Sequence, residues 1–340
     1  QTVLRGQADH PGRTEAELAL AQALDALPEP PGHGPAPAWD QHIPHLTALA
    51  ATTPPDHHDH PVTRHYLTAA QLLDRQGHKA RTIPLRQVRL TTYERLLGDT
   101  HPLTLTSRND LALAHRSAGE LDRAIPLYEA NLVNFEKVLG PTHPHTLTGR
   151  NNLAAAYRSA GDLERAIPLL ETTVAQREVV LGHSHPHTLV SRNNLATAYR
   201  SAGDLERAIR LHTATLAQRE EVLGPTDPGT LRSRNNLAFA YRSAGDLDRA
   251  IPLFETTLTQ REQTLGPTHP DTLVSRSNLA LAYRSAGDLE RAIPLLETTL
   301  TQREQTLGPT HPGTLHSRNN LAVALRLADA DRSGHRRTPG

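Results

Sequence analysis

The stretch 270–307, PDTLVSRSNLALAYRSAGDLERAIPLLETTLTQREQTL, decides the fold. It holds two runs with helical periodicity, Pro270 to Ser285 and Leu289 to Leu307, separated only by Ala286, Gly287 and Asp288. Leu279, Ala280 and Tyr283 share one face of the first run, and Leu289, Ala292, Ile293, Leu296 and Leu300 share one face of the second. Small Ala280 and Ala292 let the two helices approach closely. Gly287 suits the left-handed position that ends a helix, and Asp288 can accept from the free amides that open the next one. Pro270 fits a first helical turn, which makes His269 the N-cap.

Working outward, the pentad that begins at Arg276 also begins at Arg108, Arg150, Arg192, Arg234 and Arg318, a constant step of 42 residues. Such a period means stacked copies of one unit, here a helical hairpin of helix A and helix B. The connecting turn recurs at Gly119, Gly161, Gly203 and Gly245, and the cap equivalent to His269 is Asp227 in one copy, as expected of a capping site. Pro294 opposes the pattern: a proline inside helix B removes a backbone hydrogen bond and is expected to bend the helix, and it recurs at Pro84, Pro126, Pro168 and Pro252.

The set Leu279, Ala280, Tyr283, Gly287, Ala292 and Leu296 resembles the tetratricopeptide-repeat signature. The 42-residue period with Leu-Gly-Pro-Thr-His-Pro connectors is similar to the kinesin-light-chain type of that family. The resemblance implies an all-α fold, a right-handed α-solenoid of stacked helical hairpins. Five units from about His101 to Thr310 match it, and with a terminal helix that starts at Pro312 and stops near Ala328 they give an array over 101–330. Residues 58–100 read as a degenerate capping repeat that keeps Gly77, Ile83-Pro84-Leu85 and Leu97-Gly98. Residues 1–57 read as two more helices, Glu15 to Leu27 and Trp39 to Ala50, joined by a Pro/Gly-rich linker, and 331–340 as a disordered tail.

In this family helix A lines the concave surface, and spacing puts Val274, Ser277, Leu281 and Arg284 on one stripe of it. The second position of the stripe is Asn109, Asn151, Asn193, Asn235 and Asn319, with Ser277 the departure. A side-chain amide both donates and accepts, so this row suits the main chain of an extended peptide; an exposed solvated asparagine is the bland alternative. The fourth position is Arg116, Arg158, Arg200, Arg242, Arg284 and Arg326. At about 8–10 Å between packed helices these form a basic line suited to an acidic or C-terminal carboxylate ligand. Equally, each arginine could offset its own helix dipole or pair with the adjacent acid, as Arg284 could with Asp288.

The third position varies, through Leu113, Ala155, Thr197, Phe239, Leu281 and Val323, and so does the first, through Thr106, Thr148, Val190, Arg232, Val274 and His316. These two columns are read as setting specificity. Arg108 and its equivalents fall where the family places a large apolar residue, and a structural pairing with a neighbouring acid is expected.

Composition narrows the function. Lys plus Arg equals Asp plus Glu at 36 each, so no global field recruits nucleic acid or an anionic membrane. The absence of cysteine excludes thiol nucleophiles, disulfides and Cys-based metal sites. No apolar run nears the ~20 residues that span a bilayer, and no signal peptide is evident, so the expected location is cytoplasmic. There is no phosphate loop and no His-Glu-x-x-His helix, so no catalytic residue and no cofactor are assigned, and the chain is not read as an enzyme. His57, His58 and His60, and His183, His185 and His187, could chelate a metal adventitiously; no metal site is assigned. Aromatic residues at 3% are too sparse to stack nucleic-acid bases.

The resulting reading is a non-catalytic scaffold that binds a protein or peptide in the groove. The alternative is the sensor arm of a bacterial signalling NTPase, with the NTPase domain as an intramolecular partner. That alternative rests on a start at Gln1 without Met, which suggests a fragment, and on a resemblance of Thr2-Val3-Leu4-Arg5-Gly6-Gln7 and the Trp39 helix to the joining region of such proteins.

Overall fold

A computed structural model describes residues 11–30, 36–52, 65–75 and 78–335, and the chain divides into two compact units, 1–169 and 170–340. Among the described residues there are helices and no strands.

The first unit opens with α1 (Pro11–Asp25), α2 (Pro37–Asp40), α3 (Ile43–Thr52) and α4 (His65–Arg75). The helix expected from Trp39 to Ala50 is therefore broken at Gln41-His42, because Pro44 in the first turn of α3 has no N–H to return to Asp40. Trp39 is buried, and its Nε1 donates to the Pro28 carbonyl at 3.0 Å. With Leu46, Tyr66, Leu73 and Leu85 it forms a separate apolar cluster. A 3₁₀ turn at Lys79–Thr82 leads into α5 (Ile83–Leu97). Pro84 thus occupies the first turn of its helix and removes no internal hydrogen bond, unlike the mid-helix proline expected there. Gly77, His57, His58, His60 and Thr2 to Gln7 lie outside the described residues.

The regular hairpins then follow: α6 (Pro102–Ala118) with α7 (Leu121–Leu139), and α8 (Pro144–Ser159) with α9 (Leu163–Leu181), whose residues run on into the second unit. The second unit continues with α10 (Pro186–Ser201), α11 (Leu205–Leu223), α12 (Pro228–Ser243), α13 (Leu247–Leu265), α14 (Pro270–Ser285), α15 (Leu289–Leu307) and α16 (Pro312–His335). The last helix continues beyond Ala328, through 331–335 of the expected disordered tail, because no proline or glycine interrupts it before Gly334. Residues 336–340 lie outside the description.

From α2 to α8 in the first unit and from α10 to α16 in the second each helix packs on the next, and alternate A helices also touch, as α6 does α8, α10 does α12 and α14 does α16. This is the stacking of an α-solenoid.

The joints form as the residues dictate. Gly287 has φ 79°, and the Asp288 N–H bonds back to the Tyr283 carbonyl at 2.9 Å. Asp288 caps α15 by accepting from the Arg291 amide at 3.0 Å. At the other joint, Nδ1 of His101, His143, His185 and His269 each accepts at 3.2 Å from the amide two residues on. Asp227 does the same for two amides.

Pro126, Pro252 and Pro294 sit inside helices that continue unbroken. Each ring is exposed, so the carbonyl that loses its donor, that of Glu290 opposite Pro294, lies where water replaces the missing bond.

The core between hairpins uses the expected positions: Tyr283, Leu279 and Ala282 pack with Phe254, Ala250 and Ala292 in one buried cluster. In the first unit Tyr157, Leu153 and Ala156 pack with Tyr128, Ala124 and Ala166.

Candidate peptide-binding surface

The candidate surface is the stripe of A-helix residues spaced three, four and three apart, and its rows have different fates. Asn151, Asn193 and Asn235 are buried, Asn109 is half-buried and Asn319 is exposed. The next A helix in each unit explains the burial. Asn109 Oδ1 accepts from Asn152 Nδ2 at 2.9 Å, Asn193 Oδ1 from Asn236 Nδ2 at 2.9 Å and Asn235 Oδ1 from Asn278 Nδ2 at 3.0 Å. The row is thus an inter-repeat stitch as well as a surface. The acceptor half of each amide is consumed, whereas Nδ2 of Asn109, Asn193 and Asn235 makes no hydrogen bond within the described protein. Asn152, Asn236 and Asn278 were not singled out from the sequence, although the repeated Asn-Asn dipeptide was visible.

The arginine row behaves differently. Arg116, Arg158, Arg200, Arg242 and Arg284 are half-buried and Arg326 is exposed. In the second unit, the pairing of Arg284 with Asp288 does not form: Asp288 is held by Arg291, Asp204 by Arg207 and Asp246 by Arg249, each one helical turn on. The guanidinium groups of Arg200, Arg242 and Arg284 have no carboxylate partner among the described residues. Burial lowers the affinity of Arg200 and Arg242 for their protons, and the charges of Arg284 and Arg200 lower that of Arg242 further. Arg242 is therefore repelled by both of the other two cations. Arg242 also lies 5.0 Å from the centre of the Phe239 ring.

The two variable columns are largely accessible. Arg232 and Val274 are exposed, Val190, Thr197, Phe239 and Leu281 are half-buried, and Leu113 is 38% exposed. Ala155 is the departure, buried at 8% because its side chain ends at Cβ.

The arginines that open each pentad are structural. Arg108, Arg150, Arg192, Arg234 and Arg276 each bind a glutamate of the preceding B helix at 2.6 Å, Glu94, Glu136, Glu178, Glu220 and Glu262 in turn. A further buried row was missed: Arg177, Arg219, Arg261 and Arg303 each donate to a carbonyl near the start of the following A helix.

Among the described residues no three His, Asp or Glu side chains converge as a cation site. His185 stacks on His187 at 5.4 Å and is committed as a cap, and His183 sits 3.0 Å from Arg192 Nη2. No helix of the described residues is long and apolar enough to cross a membrane.

A family model described as tetratricopeptide repeat matches residues 111–178, 146–221, 191–263, 229–305 and 278–332, more than half of the chain. Among solved structures, a kinesin-light-chain-type protein of Podosopora anserina, built of nearly identical TPR-like repeats, is 32% identical, with TM-score 0.52; the match covers 61% of this chain and 98% of that one. BtubC (BKLC) from P. vanneervenii is 22% identical, with TM-score 0.55, covering 69% of this chain and 94% of that one, a likeness of fold. No curated protein matches the chain significantly.

Proposed function

The chain belongs to the tetratricopeptide-repeat family, whose repeats generally serve as non-catalytic scaffolds for protein–protein interaction, and from that premise we propose that its A-helix stripe binds an extended acidic segment of a partner protein. The observation that carries this reading is the triad Arg200, Arg242 and Arg284. The arginines that open the pentads and those of the B helices are held by acids or carbonyls, whereas these three are half-buried and lack a carboxylate, and Arg242 is repelled by both of the others. A ligand that supplies carboxylates relieves that repulsion in a partly desolvated setting, where charge-assisted hydrogen bonds are strongest.

The asparagines add a sequence-independent grip. With Oδ1 held by the next helix, Nδ2 of Asn193 and Asn235 is left oriented to donate to a ligand's main-chain carbonyl. Val190, Arg232, Val274, Thr197, Phe239 and Leu281 supply the side-chain contacts that discriminate among ligands. The first unit carries its own set in Asn109, Arg116 and Leu113, with Asn151, Ala155 and Arg158 beside them.

The test compares acidic and charge-neutral peptides of about a dozen residues by calorimetry at two salt concentrations. The reading expects acidic peptides to bind more tightly, with affinity falling as salt rises. It expects at least a tenfold loss in Arg200→Gln/Arg242→Gln/Arg284→Gln with helicity unchanged. Asn193→Asp/Asn235→Asp, which keeps the acceptor and removes the donor, should also weaken binding. Equal affinity for neutral and acidic peptides would sink the proposal.

A further inference from the structure

A cavity of about 700 Å³ in the first unit shares no residue with the A-helix stripe. Ala50 of α3, Ile83 and Val88 of α5, and Pro126 and Leu127 of α7 give it apolar walls, and its polar residues are Gln87, Thr91, His115 and Arg123. Apolar walls with a few polar groups are the ordinary make-up of a small-molecule site. One period of 42 residues later, the counterparts of Gln87, His115 and Arg123 are Glu129, Tyr157 and Arg165.

Those counterparts form a latch. The Tyr157 hydroxyl donates to Glu129 Oε1 at 2.6 Å, and Arg165 lies 4.2 Å from the centre of the Tyr157 ring and 3.6 Å from Glu129 Oε1. Asp162 holds Arg165 Nε at 2.5 Å. In the second unit Tyr199 with Glu171 and Arg207, and Tyr283 with Glu255 and Arg291, repeat the arrangement. Where Thr213 replaces the glutamate, Arg249 still keeps the Tyr241 ring at 5.0 Å. The first hairpin has neither the tyrosine nor the glutamate. His115 turns Nδ1 to Glu120 at 2.8 Å, and Glu120, the counterpart of Asp162, stands 3.5 Å from Arg123 Nη1, whose side chain is 66% exposed. Gln87 brings no charge; its Nε2 meets Thr91 Oγ1 at 3.4 Å and carries a second N–H. Arg123 therefore stands beside an apolar cavity without the ring and the inter-helix carboxylate that its counterparts hold.

We propose that this cavity binds a small aromatic carboxylate, which brings back the two groups missing from the latch. The ring packs against the apolar walls and the Arg123 guanidinium, and the carboxylate accepts from Arg123 and from Gln87 Nε2. Charge complementarity selects an acid, because Arg123 is the one permanent cation among the lining residues and no Asp or Glu lines the cavity. Apolar burial supplies most of the affinity and the charge-assisted bonds fix the orientation. The site is separate from the groove that takes the acidic segment.

The probe is 4-hydroxyphenylacetate, titrated into the full chain by calorimetry beside 2-(4-hydroxyphenyl)ethanol, which lacks the carboxylate, and cyclohexylacetate, which lacks the aromatic ring. Saturable binding of the probe with a Kd at or below about 1 mM is expected, and at least about tenfold weaker binding of each analogue. Arg123→Gln should weaken the probe at least about tenfold. Its side chain is exposed, so helicity and melting should not change. Gln87→Glu gives Arg123 the glutamate that its counterparts hold, and should weaken the probe by occupying the arginine. No saturable binding overturns the proposal. So does equal binding of the probe and the alcohol, or binding that survives Arg123→Gln. The Arg200→Gln/Arg242→Gln/Arg284→Gln variant should bind the probe as the parent does; a loss there would place the acid in the groove and overturn the cavity site, so the two readings fail separately.

Discussion

Ser277 Oγ and Asn320 Nδ2 are both buried, and neither makes a hydrogen bond. They occupy the positions that are bonded at the two preceding joints of the second unit, Asn193 with Asn236 and Asn235 with Asn278. Serine stops short of the place where an asparagine amide carbonyl would stand, so the stitch between α14 and α16 is open. A buried donor left without an acceptor is costlier than a missing contact, because it has lost its water as well.

Ser277→Asn should therefore stabilise the chain. Supplying the acceptor is worth about 0.5–1.5 kcal/mol, the net value of one satisfied buried hydrogen bond. Thermal or urea unfolding followed by circular dichroism will measure it, and a lower midpoint in the variant would show that the site has no room for the longer side chain.

A second pair tests packing. Arg177 donates to Ser191 Oγ at 2.8 Å, whereas one period earlier the same two positions hold Phe135 and Gly149. A Cβ at Gly149 would stand 3.2 Å from the Phe135 ring, so aromatic ring and missing side chain compensate each other. Gly149→Ser alone should destabilise by about 1–3 kcal/mol through overpacking. Adding Phe135→Arg should recover much of that loss, and a double-mutant cycle reads the coupling directly.

His212 predicts a pH dependence. It takes the core position that is Tyr128, Leu170, Phe254 and Leu296 elsewhere, is fully buried, and neither ring nitrogen has a partner. Burial, with the Arg200 charge adding to it, pushes its pKa down to about 4 from 6.5. The unfolded chain then binds a proton that the folded chain refuses, so this contribution to stability is intact above pH 6.5 and is lost as pH falls toward 4. Each unit of pH in that window costs up to about 1.4 kcal/mol. The stability gap between His212→Leu and the parent should widen as pH drops from 7 to 5, measured by denaturant titration; a constant gap would argue against a buried neutral imidazole.

Two arginines eight residues apart should respond oppositely. Arg276 is buried between Glu262 and Gln302, so Arg276→Gln should cost roughly 2–3 kcal/mol, less than the ~3–5 of a fully buried pair because the glutamate is partly exposed. Arg284 has no carboxylate and feels the charge of Arg242, so Arg284→Gln should stay within about 0.5 kcal/mol of the parent or gain slightly. Parallel unfolding curves of the two variants decide it.

How far the residues could be read in advance follows from the range of the interactions. The bounds of α14 and α15, the left-handed Gly287, the Asp288 cap and the histidine caps all depend on neighbours a few positions away, and each was legible from 270–307. So was the pairing of Arg276 with an acid, though not which one. The break before α3, the first-turn placement of Pro84 and the extension of α16 were not, because those segments lie outside the regular repeats and the 42-residue comparison offers no guide there.

The sequence by itself determined the unit, its period and its stacking, because capping, turn chemistry and apolar spacing are local and each is written five or more times along the chain. Only the tertiary structure decided which polar groups remain for a ligand. Whether Asn235 Oδ1 is free or taken by Asn278 depends on two residues 43 apart, and whether Arg284 is neutralised depends on Asp288 preferring Arg291. The first choice is made across packed helices and the second by competition for one carboxylate at a helix start, among partners that the repeat pattern alone renders equivalent.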